Sequence, residues 1–298
     1  MRQFALLSGD ADYIMFGRAA ALADACIYLR PEAGDLALPD GFPIGVGLIN
    51  QGSGLKTCVF AHMPGAPEGL AVQPLPTLPI VEAFVLQAFG MIRPSWVESI
   101  VVIPINPPQL QLGPGDPLHV LSAVGSVGTD LSLPSQVGVP AFATAGHVAQ
   151  KQFTQVFDAA GTVIGSVGFC STPSGSGTNP VADFAVIDPI KGLAFRPTIP
   201  GSTNAGAGNI IYVGTGGAAV TIAAYCTYLA VPSVGGTLGE VYLTNKCITI
   251  PGDSGSVALL NGYVIGHVVG AIPGTSTLIQ CIDYQLNSAL STYPGVTV

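Results

Sequence analysis

The chain has 298 residues, of which 49% are hydrophobic and only 9% charged, with a formal net charge of −8 at pH 7. So few Lys and Arg argue against a surface that neutralises nucleic-acid phosphates, and equally against a polybasic membrane contact. The length admits one large domain or two ordinary ones, and the 39 Gly and 25 Pro point to many short strands joined by turns.

Taken from the start, Gln3–Leu7 reads as a strand and Arg18–Ala25, rich in Ala, as a helix. Gly45–Asn50 and Lys56–Ala61 read as strands either side of a hairpin turn at 51–54. A proline-rich passage runs from Pro64 to Pro79. Val81–Phe89 then sets Val81, Phe84, Val85 and Ala88 on one helical face, and Ser99–Ile105 returns to strand character. Residues 1–103 are therefore expected to form a small α+β accessory domain. His62 is its one histidine and, lacking partners, is expected to be structural. The first ten residues hold too short an apolar run for a signal peptide, and no stretch is apolar for long enough to span a bilayer. The expected location is cytoplasmic.

Residues 104–117 contain five prolines and two glycines, which cannot sustain a helix or a central strand, so a linker is expected there. From 118 to 298 short apolar runs alternate with Gly, Ser, Thr and Pro clusters. They are His119–Val124, Val137–Ala143, Gln155–Phe157, Val163–Val167, Phe184–Ile187, Ile210–Val213, Val220–Leu229, Val241–Leu243, Val257–Leu260 and Tyr263–Val269. Such a series fits a closed or sandwiched antiparallel β architecture, with helix only near Asn287–Leu290. The cysteines at 26, 58, 170, 226, 247 and 281 show no metal-type pairing and read as reduced, mostly buried thiols. Neither a metal nor another cofactor is expected.

Three stretches carry chemistry. Pro251-Gly252-Asp253-Ser254-Gly255-Ser256 puts a serine between glycines that allow a tight turn with exposed backbone N–H groups. A serine nucleophile needs a base, and the base needs a group to fix its tautomer. His147 lies in Thr144-Ala145-Gly146-His147, and Asp183 stands at the mouth of the apolar run Phe184–Ile187. Together these motifs, in the order His147, Asp183, Ser254, resemble the chymotrypsin/trypsin-like serine peptidases of the compact bacterial type, over roughly residues 112–298.

That resemblance implies a double six-stranded antiparallel β-barrel over 118–298, preceded by the α+β domain. It implies Ser254 as nucleophile, His147 as general acid/base, Asp183 as orienter, and the N–H groups of Gly252 and Ser254 as oxyanion hole. Asp188, at the far end of the same run, is the rival orienter. Asp253 is expected to pair internally or simply to cap its loop, since no Ile-Val-Gly-Gly start precedes the β-rich part to pair with it. Cys247 is not placed to make the family's pocket disulfide. Ile248, Thr249, Val269 and Gly270 are the implied substrate-binding positions. Ile248 stands where trypsin-like members carry an Asp, so cleavage after basic residues is disfavoured and a small or apolar pocket is expected. His267 lies one place after Gly266, where glutamyl-specific members have histidine two places on. A single step along a strand points it to the other face unless a bulge restores it, so a core or outward histidine is expected.

The implied function is a serine endopeptidase acting on protein or peptide substrates through an acyl-enzyme intermediate. Its accessory domain or a protein partner would regulate it. The alternatives are a catalytically silent binding or structural module of the same fold, and an esterase or self-processing enzyme with the same triad.

Overall fold

The computed structural model describes residues 17–22, 40–51, 54–66, 69–74, 96, 99–106, 108, 118–120, 123–134, 141–190, 201–213 and 218–298. The expected elements at Gln3–Leu7 and Val81–Phe89 lie outside them, as does most of 104–117. Of the expected helix Arg18–Ala25, residues 17–22 are described and helical.

The strands fall, in chain order, into three groups. The first is β1 (Phe42–Asn50), β2 (Leu55–His62), β3 (Gln73–Pro74) and β4 (Val101–Ile105). The second begins with β5 (Leu118–Val120), β6 (Ala123–Gly125), β7 (Asp130–Leu131) and β8 (Ala141–Thr144). It continues with β9 (Gln155–Asp158), β10 (Val163–Ser171), β11 (Pro180–Val181) and β12 (Phe184–Pro189). The third is β13 (Ile210–Val213), β14 (Ala218–Val231), β15 (Gly236–Thr244), β16 (Val257–Leu260), β17 (Tyr263–Ile272) and β18 (Ser276–Cys281).

The six strands of the third group pair in a closed circuit, β13–β14–β15–β18–β17–β16 and back to β13. Alternation drives the closure. On β13, Ile211 and Val213 point inward while Ile210 and Tyr212 face out. The inward residues meet Val220, Ile222, Ala258, Ile265, Val268 and Ile279 in one core. The second group, except β11, which pairs with β15, forms another sheet in the order β6-β5-β9-β10-β12-β8-β7. Among the described residues this sheet has seven strands and ends on β6 and β7. Its opposite faces pack separate apolar clusters, one around Phe142 and Val167, the other around Phe184 and Tyr293.

The N-terminal strands join the ring directly. β14 is fourteen residues long. Residues 218–221 on one of its edges pair with β13, and residues 224–229 pair with β1. β2, β4 and β3 then extend the same sheet. Ile44, Val46, Phe60 and Ile103 share a core with Tyr228, Leu229, Leu238 and Val269. Pro104 and Ile105, assigned by composition to the linker, are the last residues of β4. Proline is tolerated there because β3 covers only Val101 and Val102, leaving Pro104 at an edge.

The two sheets meet through buried polar contacts. His267 on β17 has no exposed surface and stacks on Phe184, with ring centroids 6.0 Å apart. Thr129 N–H donates to its Nε2 at 3.2 Å, so the proton sits on Nδ1, which faces Gln285 Oε1 at 2.8 Å. Burial holds its pKa down to about 4 from 6.5. The helix Ile282–Ala289 that carries Gln285 begins well before the expected Asn287. The strand ahead of it, β18, escapes an apolar reading because Ser276, Thr277 and Gln280 interrupt its run.

Two outcomes follow from this packing. An ideal Cβ at Gly47 would lie 1.8 Å from the Tyr225 carbonyl oxygen across the β1–β14 ladder. Gly47→Ala should therefore lower stability by about 1–3 kcal/mol, read as a lower urea midpoint. For His267 the folded pKa lies below the unfolded one, so its neutral form is fully compatible with folding above about pH 6.5. Stability is lost as the pH falls from there towards about 4, because only the unfolded chain takes up the proton. The loss should reach roughly 3 kcal/mol, and His267→Gln should flatten that part of the stability–pH curve.

Candidate active site

Register brings His147 and Asp183 together. β8 runs antiparallel to β12 with Thr144 opposite Ala185 and Ala143 opposite Val186, so the residues after Thr144 pass beside those before Phe184. The chain then turns into the four-residue helix Gly146–Ala149. Gly146 has to be glycine, because an ideal Cβ would lie 1.7 Å from the Ser171 carbonyl oxygen and 2.8 Å from Phe184 N. This close approach is the physical content of the small residues before His147.

The Asp183 carboxylate accepts two hydrogen bonds from one residue. His147 backbone N–H donates to Oδ1 at 2.7 Å, and His147 Nδ1 lies 2.5 Å from Oδ2. Asp183 has no exposed surface and His147 is 7% exposed. A carboxylate receiving Nδ1–H leaves the Nε2 lone pair free of that proton, which is the tautomer a general base requires. The rival Asp188 is engaged elsewhere. Tyr293 O–H donates to its Oδ2 at 2.8 Å, and burial together with this carboxylate raises the Tyr293 pKa.

Ser254 lies in the loop between β15 and β16. Gly252 and Gly255 adopt φ of 106° and 94°, values that side chains disfavour. Asp253 turns back on its own loop, its Oδ2 accepting from Ile250 N–H at 2.9 Å, as expected. The loop is pinned on both sides. Ser126 N–H donates to Ser254 C=O at 2.7 Å, and Ser126 Oγ approaches Gly252 C=O at 3.3 Å. Ser126 C=O in turn accepts from Thr144 Oγ1 at 2.9 Å, only three residues ahead of His147. On the ring side, Gly255 N–H donates to Val268 C=O at 2.8 Å. A Cβ at Gly255 would fall 2.3 Å from Ser126 O, so the turn has no room for another residue. Ser254 has no exposed surface in this state.

Among the implied pocket positions, Thr249 is buried and its hydroxyl lies 3.1 Å from that of Thr277, which also accepts from Ile248 N–H. Gly270 follows an irregularity in the β17–β18 ladder and lies opposite Leu278. Val269 is fully buried in the core built with the N-terminal strands. His267 is committed to the sheet junction. His62 is buried at the end of β2, where burial lowers its pKa. Cys58, Cys226 and Cys281 are buried, Cys170 and Cys247 half-buried, and all five are free thiols. Among the described residues, no group of three or more His, Cys, Asp and Glu could hold a metal ion, and no helix is long and apolar enough to cross a membrane.

Sequence reasoning missed Ser126, Gln280 and Gln285. Gln280 sits inside the apolar run 278–282, and a buried amide among such neighbours is the signal that could have found it; Gln285, between Asp283 and Asn287, gives no such signal.

No protein-family model and no curated protein matches the chain. Solved structures with a similar course are serine proteases, over the C-terminal part of the chain. A glutamic acid-specific serine protease with a histidine triad in substrate binding matches with 20% identity and a TM-score of 0.47, over 61% of this chain and 96% of that one. The Nocardiopsis protease NAPase matches with 22% identity and a TM-score of 0.43, over 57% and 90%. Cellulomonas bogoriensis chymotrypsin matches with 21% identity and a TM-score of 0.43, over 62% and 96%.

Proposed function

We propose that the chain is a serine endopeptidase that uses Ser254 as nucleophile, His147 as general acid/base and Asp183 as the group that orients and stabilises His147. The observation that carries this reading is the Asp183 carboxylate, buried and accepting both the backbone and the ring N–H of His147. A buried carboxylate beside an imidazole stabilises the imidazolium that forms when a proton leaves the serine. His147 Nε2 takes the Ser254 Oγ proton as Oγ attacks the scissile carbonyl. It then returns the proton to the leaving amine, and the acyl-enzyme is released by water with the same base. The Gly252 and Ser254 N–H groups stabilise the oxyanion, each contributing about 10²–10³ in turnover. Ile248, Thr249 and Gly270 shape a small or apolar pocket for the residue before the cleaved bond, with Val269 contributing backbone only.

Because Ser254 has no exposed surface in the described state, a polypeptide reaches it only after the cleft opens. That opening is the step an activating partner or the N-terminal accessory part would control. The same burial favours one second reading, a catalytically silent module whose triad-like residues only stabilise the junction.

Fluorophosphonate labelling separates the two. The wild-type chain should be labelled, Ser254→Ala should not, and His147→Ala should react more slowly by about 10⁴ or more. Labelling that survives in Ser254→Ala, or a wild type that stays unlabelled with and without cell lysate, would sink the peptidase reading.

A further inference from the structure

Asp183 belongs to the seven-stranded sheet through β12, yet the segment that delivers it is fastened to the ring. Pro180 and Val181 pair in parallel with Thr237 and Leu238 of β15. Tyr284 O–H donates to Pro180 C=O at 2.9 Å. Gln280 Nε2 donates to Val181 C=O at 3.1 Å and to Gly239 C=O at 2.8 Å, while its Oε1 accepts Asp183 N–H at 2.7 Å. Gln285 Nε2 reaches towards Asp183 C=O at 3.5 Å.

Gln280 and Gln285 have no exposed surface. A primary amide buried in this way is costly unless each polar atom has a partner. Gln280 uses both amide hydrogens and its oxygen, so only one orientation of its side chain satisfies the site. Its neighbours on β18, Leu278, Ile279 and Cys281, are apolar and buried. Packing alone would accept another aliphatic residue here. What the amide adds is a fixed direction for the peptide of Asp183. Tyr284 fits only because residue 239 is glycine, where a Cβ would lie 2.3 Å from the ring.

We propose that Gln280, Tyr284 and Gln285 form a clamp that positions Asp183 for His147 across the junction between the two sheets. The inference rests on the triad reading above and extends it to residues outside the triad. The clamp makes the direction of the Asp183 carboxylate depend on β18 and the helix after it, although His147 and Asp183 both stand on the other sheet. None of the three touches the reacting atoms, so they are positioning residues.

The test follows the His147 imidazole by NMR as a function of pH in the wild type, Gln280→Met, Tyr284→Phe and Asp183→Asn, alongside fluorophosphonate labelling rates. Loss of a correctly placed carboxylate disfavours the imidazolium. Gln280→Met should titrate about one pH unit lower and label about tenfold more slowly. Tyr284→Phe should move the same way by less, and Gln280→Met should add nothing in the Asp183→Asn background. Wild-type titration of His147 in folded Gln280→Met and Tyr284→Phe would overturn the clamp, as would a full additional loss in the Asp183→Asn background. If Gln280→Met does not fold, Tyr284→Phe decides alone. The titration reads His147 without turnover, so a chain that fails to label overturns the peptidase reading separately, and the clamp is still judged.

Discussion

A carboxylate taken fully out of water costs several kcal/mol unless donors replace the hydration it loses. Asp183 is such a group, and the molecule is arranged around satisfying it. Its two oxygens are met by the backbone and ring of His147, and its own peptide is met by Gln280 and Gln285. These partners come from three places in the chain: the turn after β8, the strand β18, and the helix that follows it. None can move far without leaving a buried polar atom unpaired. The seven-stranded sheet and the six-stranded ring are therefore held in one relative arrangement at the point where the proposed chemistry takes place.

The loop of Ser254 obeys the same constraint from the other direction. It leaves the ring after β15, yet its carbonyls are held by Ser126 of the opposite sheet, and Ser126 is tied to Thr144 beside the histidine turn. Polar bonds across the junction thus place the serine, while the apolar cores of the two sheets lie to either side. β14 adds a further level. By giving one edge to both β13 and β1, it lets the N-terminal strands share the ring's sheet and bury their side chains with those of β15, β17 and β18.

Much of this was readable from residue types. Strands such as β1, β2, β13 and β16 announce themselves by apolar residues in period two or in short runs. His147, Asp183 and Ser254 stood out because small residues, an apolar run and paired glycines surround them. The close approach of Ser171 and Phe184 then explains why residue 146 is glycine. What stayed hidden was long-range. Nothing local in Phe42–Asn50 says that it pairs with a strand near residue 225, and composition drew a boundary inside β4 because proline is usually excluded from strands. β18 and the start of its helix were hidden by Thr277, Gln280 and Gln285: the glutamines are buried against Asp183, while Thr277 bonds to Thr244 and Ile248. Val269, a pocket position by resemblance, is buried in the core shared with the N-terminal strands, which no local pattern announces.

The last turns of the chain have a bearing on how it is made. Ser132 and Thr297 exchange backbone hydrogen bonds, Tyr293 caps Asp188, and Tyr293 and Val296 fill the apolar face of the seven-stranded sheet. That sheet is translated before the ring, yet part of its core is supplied by residues that follow the ring. On the ribosome it must wait, with the face around Phe184 uncovered, until every strand of its neighbour has emerged. Contacts this distant in sequence slow folding, and a waiting apolar face is a natural client for a chaperone. The seven-stranded sheet, although translated before the ring, is thus among the last parts to be completed in biosynthesis.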